Sequence, residues 1–216
     1  MVRGVFITLE GGEGTGKSTQ LRMLAEELDS AGFSVLVLRE PGGTEVGEVV
    51  RKVLLDPVND GLDARSELLL YEASRAQLVA KVIGPALASG RVVLCDRFYD
   101  STTAYQGYGR ELGLDDVRQL NEFATGGLTP DLTIVLDLDP AEGLTRATYA
   151  GTDRLEAEEA EFHVRVRKGF LAIAAEEPER VVVIDASVDV ETVALEVRRA
   201  VMTLPVIAAM LPKDAE

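Results

Sequence analysis

The chain has 216 residues, enough for one α/β domain with a full core and short for two. Its residues are 46% hydrophobic and 27% charged, an ordinary globular balance, and no apolar run approaches the roughly 18–20 residues that cross a bilayer. A net charge of −15 with no basic run argues against a nucleic-acid partner, since such binding relies on Lys and Arg against phosphates.

Met1-Val-Arg-Gly4 runs straight into a strand-like segment, without the longer apolar stretch of a signal peptide, so a soluble, cytoplasmic protein is expected. Five apolar, β-branched runs follow one another at residues 5–9, 34–38, 92–95, 132–136 and 181–184. Such continuous runs predict parallel strands buried on both faces. Helical spacing separates them: Leu21, Leu24, Ala25 and Leu28 before a capping Gly32, then Phe162, Val166, Phe170 and Ile173, then Val190, Val193, Ala194, Val197 and Val201. Alternating strands and helices predict a doubly wound α/β fold, a single domain over 1–216 with a short tail at 205–216.

One cysteine and one histidine exclude a disulfide framework and a Cys/His zinc site within one chain. Cys95 lies in an apolar strand and reads as an inert buried thiol. His163, in a charged helical stretch, reads as a surface residue.

Gly11-Gly-Glu-Gly-Thr-Gly-Lys-Ser18 matches G-x-x-x-x-G-K-[ST], after a predicted strand and at the start of a predicted helix. Glycines let backbone N–H groups wrap phosphates, and the helix N-terminus adds its positive end. Lys17 is expected on the β- and γ-phosphates, and Ser18 on Mg²⁺. The metal-side carboxylate should end a buried strand, and both Asp96 and Asp137 do so. Arg97 favours the first, because a guanidinium beside a metal-binding carboxylate suits phosphoryl transfer. Neither Asn59 nor Asn121 begins an Asn-Lys-x-Asp signature of guanine-specific GTPases.

Phe6-Ile-Thr-Leu-Glu-Gly-Gly-Glu-Gly-Thr-Gly-Lys-Ser-Thr19, Arg39-Glu-Pro-Gly-Gly-Thr44, Asp96-Arg-Phe98 and Ser101-Thr-Thr-Ala-Tyr-Gln-Gly107 together resemble the bacterial thymidylate kinases. The resemblance runs to Ile184-Asp-Ala186 and implies a P-loop NTPase fold, a five-stranded parallel sheet with helices on both faces. It implies Mg²⁺-dependent transfer of the ATP γ-phosphate to dTMP, in a homodimer. By the same resemblance ATP lies on Gly11, Gly12, Glu13, Gly14, Thr15, Gly16, Lys17, Ser18 and Thr19, with Asp185 and Ala186 against adenine. Arg97 and Arg51 would hold the dTMP phosphate, and Glu13 its 3′-hydroxyl. Tyr71 would stack on thymine and Arg75 bond its carbonyl, two positions four apart that share a helix face. Tyr71 could alternatively be a core aromatic. Thr102 and Gln106 would reach the base edge, Tyr105 would crowd C2′, and Glu40 belongs to the same site.

Some members of that family carry an arginine inside the P-loop, where this chain has Gly14. A mobile lid at about 147–155 is then expected to supply Arg154 as the transition-state arginine, with Arg146 as a second ATP contact. Either arginine could instead simply pair with Asp153 or Glu156 on the surface. The rivals are a P-loop kinase for another nucleotide and a P-loop switch protein that recruits a partner; turnover that needs dTMP separates them from the reading above.

Overall fold

The computed structural model describes residues 3–147 and 154–208. Five strands form one parallel sheet: β1 Phe6–Glu10, β2 Val35–Arg39, β3 Val92–Asp96, β4 Leu132–Asp137 and β5 Val181–Asp185, in the order β2-β3-β1-β4-β5. The register pairs Leu9 with both Asp96 and Ile134, so β1 lies at the centre with its C-terminal end flush with its neighbours. Each strand begins apolar and ends on a charged residue, namely Glu10, Arg39, Asp96, Asp137 and Asp185. That polarity places the chemistry along one edge, since ligands of open α/β sheets sit at the carboxyl ends of the strands.

One face is covered by α1 (Lys17–Ser30) and α9 (Val190–Val201), whose Leu21, Leu24, Leu28, Val193, Val197 and Val201 pack on Ile7, Leu9 and Ile134. The other carries α3 (Ala64–Leu78), a π-turn at Val79–Ile83, α4 (Gly84–Ala88) and α8 (Ala160–Glu176). There Leu78, Ile83 and Leu87 meet Phe6, Val93 and Phe98, while Phe162, Val166, Phe170 and Ile173 meet Val135 and Val181. Periodicity predicted the faces of α1, α8 and α9, except that Val190, at the start of α9, is 46% exposed.

Burial on both faces holds for the three inner strands but not for the edges. Val37 of β2 is 47% exposed and Val183 of β5 is 41% exposed. An edge strand has a neighbour on one side only, so helices cover it incompletely. His163 also departs from expectation: it is buried in α8, with its ring edge-on to Phe162. Its helix packs directly on the sheet, so the residue turns inward despite its charged sequence neighbours. Cys95 is buried as expected, and burial pushes its thiol pKa up.

The remaining helices shape the site: α2 (Glu45–Leu55), α5 (Tyr99–Thr102), a π-helix at Thr103–Gly109, α6 (Leu114–Thr125) and α7 (Pro140–Ala147). A π-helix is rare, and such segments concentrate at functional sites. At the end of the described chain, the four-residue α10 (Pro205–Ala208) buries Ile207 against the α1–α9 face.

Candidate active site

The loop between β1 and α1 turns on Gly11, Gly14 and Gly16, at φ of 135°, 65° and 89°. Lys17 enters the helix with its ammonium folded back on the Gly12 carbonyl (2.6 Å) and the Gly11 carbonyl (3.2 Å). Burial and the adjacent Arg97 push its pKa down, against the pull of Glu13, Asp96 and Glu10. The Ser18 hydroxyl donates to Asp96 Oδ2 at 2.8 Å, which brings the two metal-side groups of the sequence reading together. Asp137, the other candidate, is held by Arg167 through two hydrogen bonds, 2.7 and 2.8 Å. A hydroxyl and a carboxylate are hard oxygen donors that fit Mg²⁺, an ion that takes one or two such ligands beside phosphate oxygens and water.

Arg97 has φ of 69°, unusual for a residue with a side chain, and this conformation turns its guanidinium under the P-loop. It donates to the Gly11 carbonyl (2.9 Å), Glu13 (2.7 Å) and the Ser101 hydroxyl (3.2 Å). The turn is held by Glu10, which accepts from Phe98 N at 2.7 Å and from the Ser101 hydroxyl at 2.5 Å. Tyr105 also donates to Glu13, at 2.6 Å, under the Arg97 guanidinium. Burial raises the Glu13 pKa, but Arg97 and Lys17 outweigh it and pull the group down to about 2.

A cleft of about 630 Å³ opens from this loop. Its walls include Glu13 through Thr19, Glu40, Arg51, Tyr71, Arg75, Asp96, Arg97, Thr102, Tyr105, Gln106 and Arg146, site residues expected from the sequence and drawn from six separate segments. Arg75 is 1% exposed, and all five of its N–H groups have acceptors. Glu40 takes Nε at 2.9 Å, Glu72 and Asn121 take Nη1 at 2.7 and 3.3 Å, and Thr102 and the Phe98 carbonyl take Nη2 at 2.9 and 3.3 Å. The two 3.3 Å contacts are the weakest of the five. Glu40 is pushed up to about 7 by burial against the counter-pull of Arg75, and its Oε1 has no hydrogen-bond partner among the described residues. Arg51 donates to the Pro41 carbonyl at 3.0 Å. Tyr71 packs on the Tyr105–Phe162 cluster while lining the cleft.

On the opposite side Arg146 reaches the Ala186 carbonyl at 3.2 Å and pairs with Glu142 at 2.5 Å; the alternative partner Asp153 lies outside the described residues. Ala186 is buried beside it, and Asp185 is exposed at the β5 end; neither lines the cleft as it stands. Gly11 and Gly12 face a small cavity of about 20 Å³ beneath the loop, shared with His163. Residues 148–153 of the expected lid lie outside the described residues. Arg154 departs from the expected placement: it is 4% exposed, donates to Glu67 at 2.5 Å and to the Leu54 carbonyl at 2.8 Å, and does not line the cleft. A buried carboxylate with room for several donors outcompetes open solvent for its guanidinium.

Sequence reasoning missed Glu10, Glu67, Glu72 and Asn121, buried polar groups that hold the site residues in place. Their spacing carries no motif; a carboxylate or amide inside an otherwise apolar helical face was the available signal. It also missed Gly143 of α7, whose carbonyl stands 2.0 Å from where a β-carbon on Gly14 would sit. An arginine at position 14 has no room here.

A parallel sheet with a P-loop at its centre, opening on a cleft lined by several arginines, is the arrangement of a P-loop nucleoside monophosphate kinase. Comparison with known proteins narrows the class. A sequence model described as thymidylate kinase matches residues 9–197. The chain is 58% identical over 182 residues to the thymidylate kinase of Synechococcus sp. (strain JA-3-3Ab), covering 84% of this chain and 87% of that one. It is 56% identical over 188 residues to that of Deinococcus radiodurans, covering 87% and 91%. The crystal structure of thymidylate kinase from Ehrlichia chaffeensis superposes with a TM-score of 0.77 at 39% identity, covering 94% of this chain and 99% of that one. The chain belongs to the thymidylate kinase family, phosphotransferases that convert dTMP to dTDP with ATP on the way to dTTP.

Proposed function

We propose that this chain transfers the ATP γ-phosphate to dTMP within the described cleft, with Mg²⁺ on Ser18 and Asp96, as one domain over 1–216 whose lid is about 147–155. The observation that carries the reading is that a P-loop and a buried, carboxylate-anchored arginine face the same cavity of about 630 Å³, with Arg97 between them. ATP phosphates would take the place of the Gly11 and Gly12 carbonyls at Lys17, and the acceptor phosphate would lie against Arg97 and Arg51. Bound Mg²⁺ would neutralise charge on the phosphate oxygens. The acceptor is a phosphate oxygen with a second pKa near ~6, mostly ionised at neutral pH, so no general base is needed. Lys17 and Arg97 act by position and charge, the main devices of phosphoryl transfer.

Tyr71, Arg75, Thr102 and Gln106 would surround the base, and Tyr105 the sugar. The test is kcat/KM for dTMP, dUMP and dCMP in a coupled ADP-release assay. Thymine exceeds uracil by one methyl group, so dTMP should lead dUMP by about ten- to two-hundredfold at most. Cytosine turns an amino group toward Arg75 and should be rejected more strongly. Equal use of dCMP and dUMP would overturn the substrate assignment.

A homodimer is part of the same reading. Val46, Val49 and Val53 of α2, Leu69 of α3 and Phe123 of α6 are exposed on helices that pack side by side, and Phe123 is 86% exposed. An apolar patch of this kind marks an interface, and a second copy is the occupant proposed. Sedimentation giving a monomer at micromolar concentration would count against it. A cytoplasmic location is also proposed; no described helix is long and apolar enough to cross a membrane.

A further inference from the structure

Glu67 of α3 is fully buried, yet it stands outside the phosphate chemistry described above. Its Oε1 accepts from Gln106 Nε2 at 2.8 Å and from Arg110 Nε at 3.2 Å. Its Oε2 accepts from Arg110 Nη2 at 3.1 Å and from Arg154 Nη2 at 2.5 Å. Burial alone would raise its pKa, but these donors outweigh burial and hold it below the usual carboxylate range. An ionised carboxylate only accepts hydrogen bonds, so Gln106 must turn its NH₂ end toward Glu67. Arg110 is fixed in turn by Glu158 at 2.6 Å and by the Phe162 ring at 4.8 Å. The anchor is therefore rigid.

Gln106 is 1% exposed, lines the cleft, and its carbonyl oxygen has no protein partner among the described residues. We propose that Glu67 is a positioning residue for base recognition: by fixing the Gln106 amide it leaves Oε1, an acceptor, for the ring N3–H of a thymine or uracil. Cytosine has an unprotonated N3, an acceptor, so the same fixed oxygen meets it with repulsion. Without Glu67 the amide could rotate by half a turn and show its NH₂ group instead, which suits cytosine as well. The inference rests on the dTMP reading above and adds to it a reason for the orientation of one amide.

A double-mutant cycle tests it, with the ratio of kcat/KM for dTMP over dCMP as the readout. A purely structural role for Glu67 would lower both rates and leave their ratio alone. Glu67→Gln, which can donate as well as accept, should lower the ratio by about tenfold, the size of one hydrogen bond. Gln106→Met should do the same, and the double variant should lose no more than either single one. A ratio unchanged in Glu67→Gln, or an additive loss in the double variant, overturns the proposal. Should Glu67→Gln not fold, hydrogen exchange of the Gln106 side-chain amide in the wild type decides. Slowing by about a hundredfold or more against an exposed glutamine amide is expected, and fast exchange overturns it. Wild-type protein that does not turn over dTMP would instead sink the substrate assignment, a distinct outcome.

Discussion

Gly14 and Gly16 lie two residues apart in the P-loop, both at positive φ, yet their surroundings differ. A β-carbon on Gly16 would meet nothing within 4 Å, whereas one on Gly14 would meet the Gly143 carbonyl carbon at 2.8 Å and its oxygen at 2.0 Å. Positive φ alone costs an L-residue about 1–2 kcal/mol. Gly16→Ala should therefore lose about that much, and Gly14→Ala more, because α7 must also move. Urea midpoints of the two variants check this, and equal losses would mean that α7 yields freely. The P-loop was legible from its motif. That Gly14 touches α7, some 129 positions along the chain, was not, because nothing local in either segment records the approach.

At the scale of elements, the two expected lid arginines differ in how they are held. Arg146, on α7, is half exposed, and its pair with Glu142 is a surface pair of small net worth. Arg154 bonds a fully buried Glu67 and a carbonyl of α2. Removing one partner of a buried pair costs about 3–5 kcal/mol, and somewhat less here because Glu67 keeps Arg110 and Gln106. Arg154→Ala should thus lower stability by about 2–3 kcal/mol, while Arg146→Ala stays within about 1 kcal/mol and raises the KM for ATP. If Arg154→Ala lowers kcat with an unchanged melting temperature, the residue acts on the phosphoryl group from another lid position and not as an anchor. The π-helix at Thr103–Gly109 was invisible at this scale, since its apolar spacing mimics an ordinary helix; it nevertheless carries Tyr105 and Gln106 into the cleft.

For the molecule as a whole, burial of carboxylates sets the pH response. Glu40 is pushed up to about 7 by burial, and Glu10 to about 8 by burial and the neighbouring Asp100. Between pH 5 and 6 the unfolded chain has these groups ionised while the folded chain holds them neutral, and in the folded chain Glu40 and then Glu10 ionise as pH passes about 7 and about 8. Folded pKa values above the ordinary 4.5 contribute stability that is complete at low pH and lost as pH rises through the folded value. For Glu40 the loss is on the order of 3 kcal/mol by pH 8. Glu13, lowered to about 2, acts in the opposite sense and only under acid, outside this window. Urea unfolding should show stability falling from pH 5.5 to 8, with a shallower fall in Glu40→Gln. A wild-type stability that rises across this range would refute the assignment.

Local chemistry declares itself in sequence where backbone and ligand meet directly. The glycine spacing around Lys17 and the apolar runs ending in charge each need only neighbouring residues, so strands and P-loop could be read before any fold was known, while Tyr71, Arg75 and most other cleft residues were legible only through the family resemblance. What only the tertiary structure decided was which groups answer one another across the chain. It gave Asp96 to Ser18 and Asp137 to Arg167, five acceptors to Arg75, and Glu67 to three donor residues from two segments. It also turned His163 inward and Arg154 away from the cleft. A buried charge is worth keeping only beside its partners. Those partners lie tens of residues away, where periodicity and motif spacing carry no information.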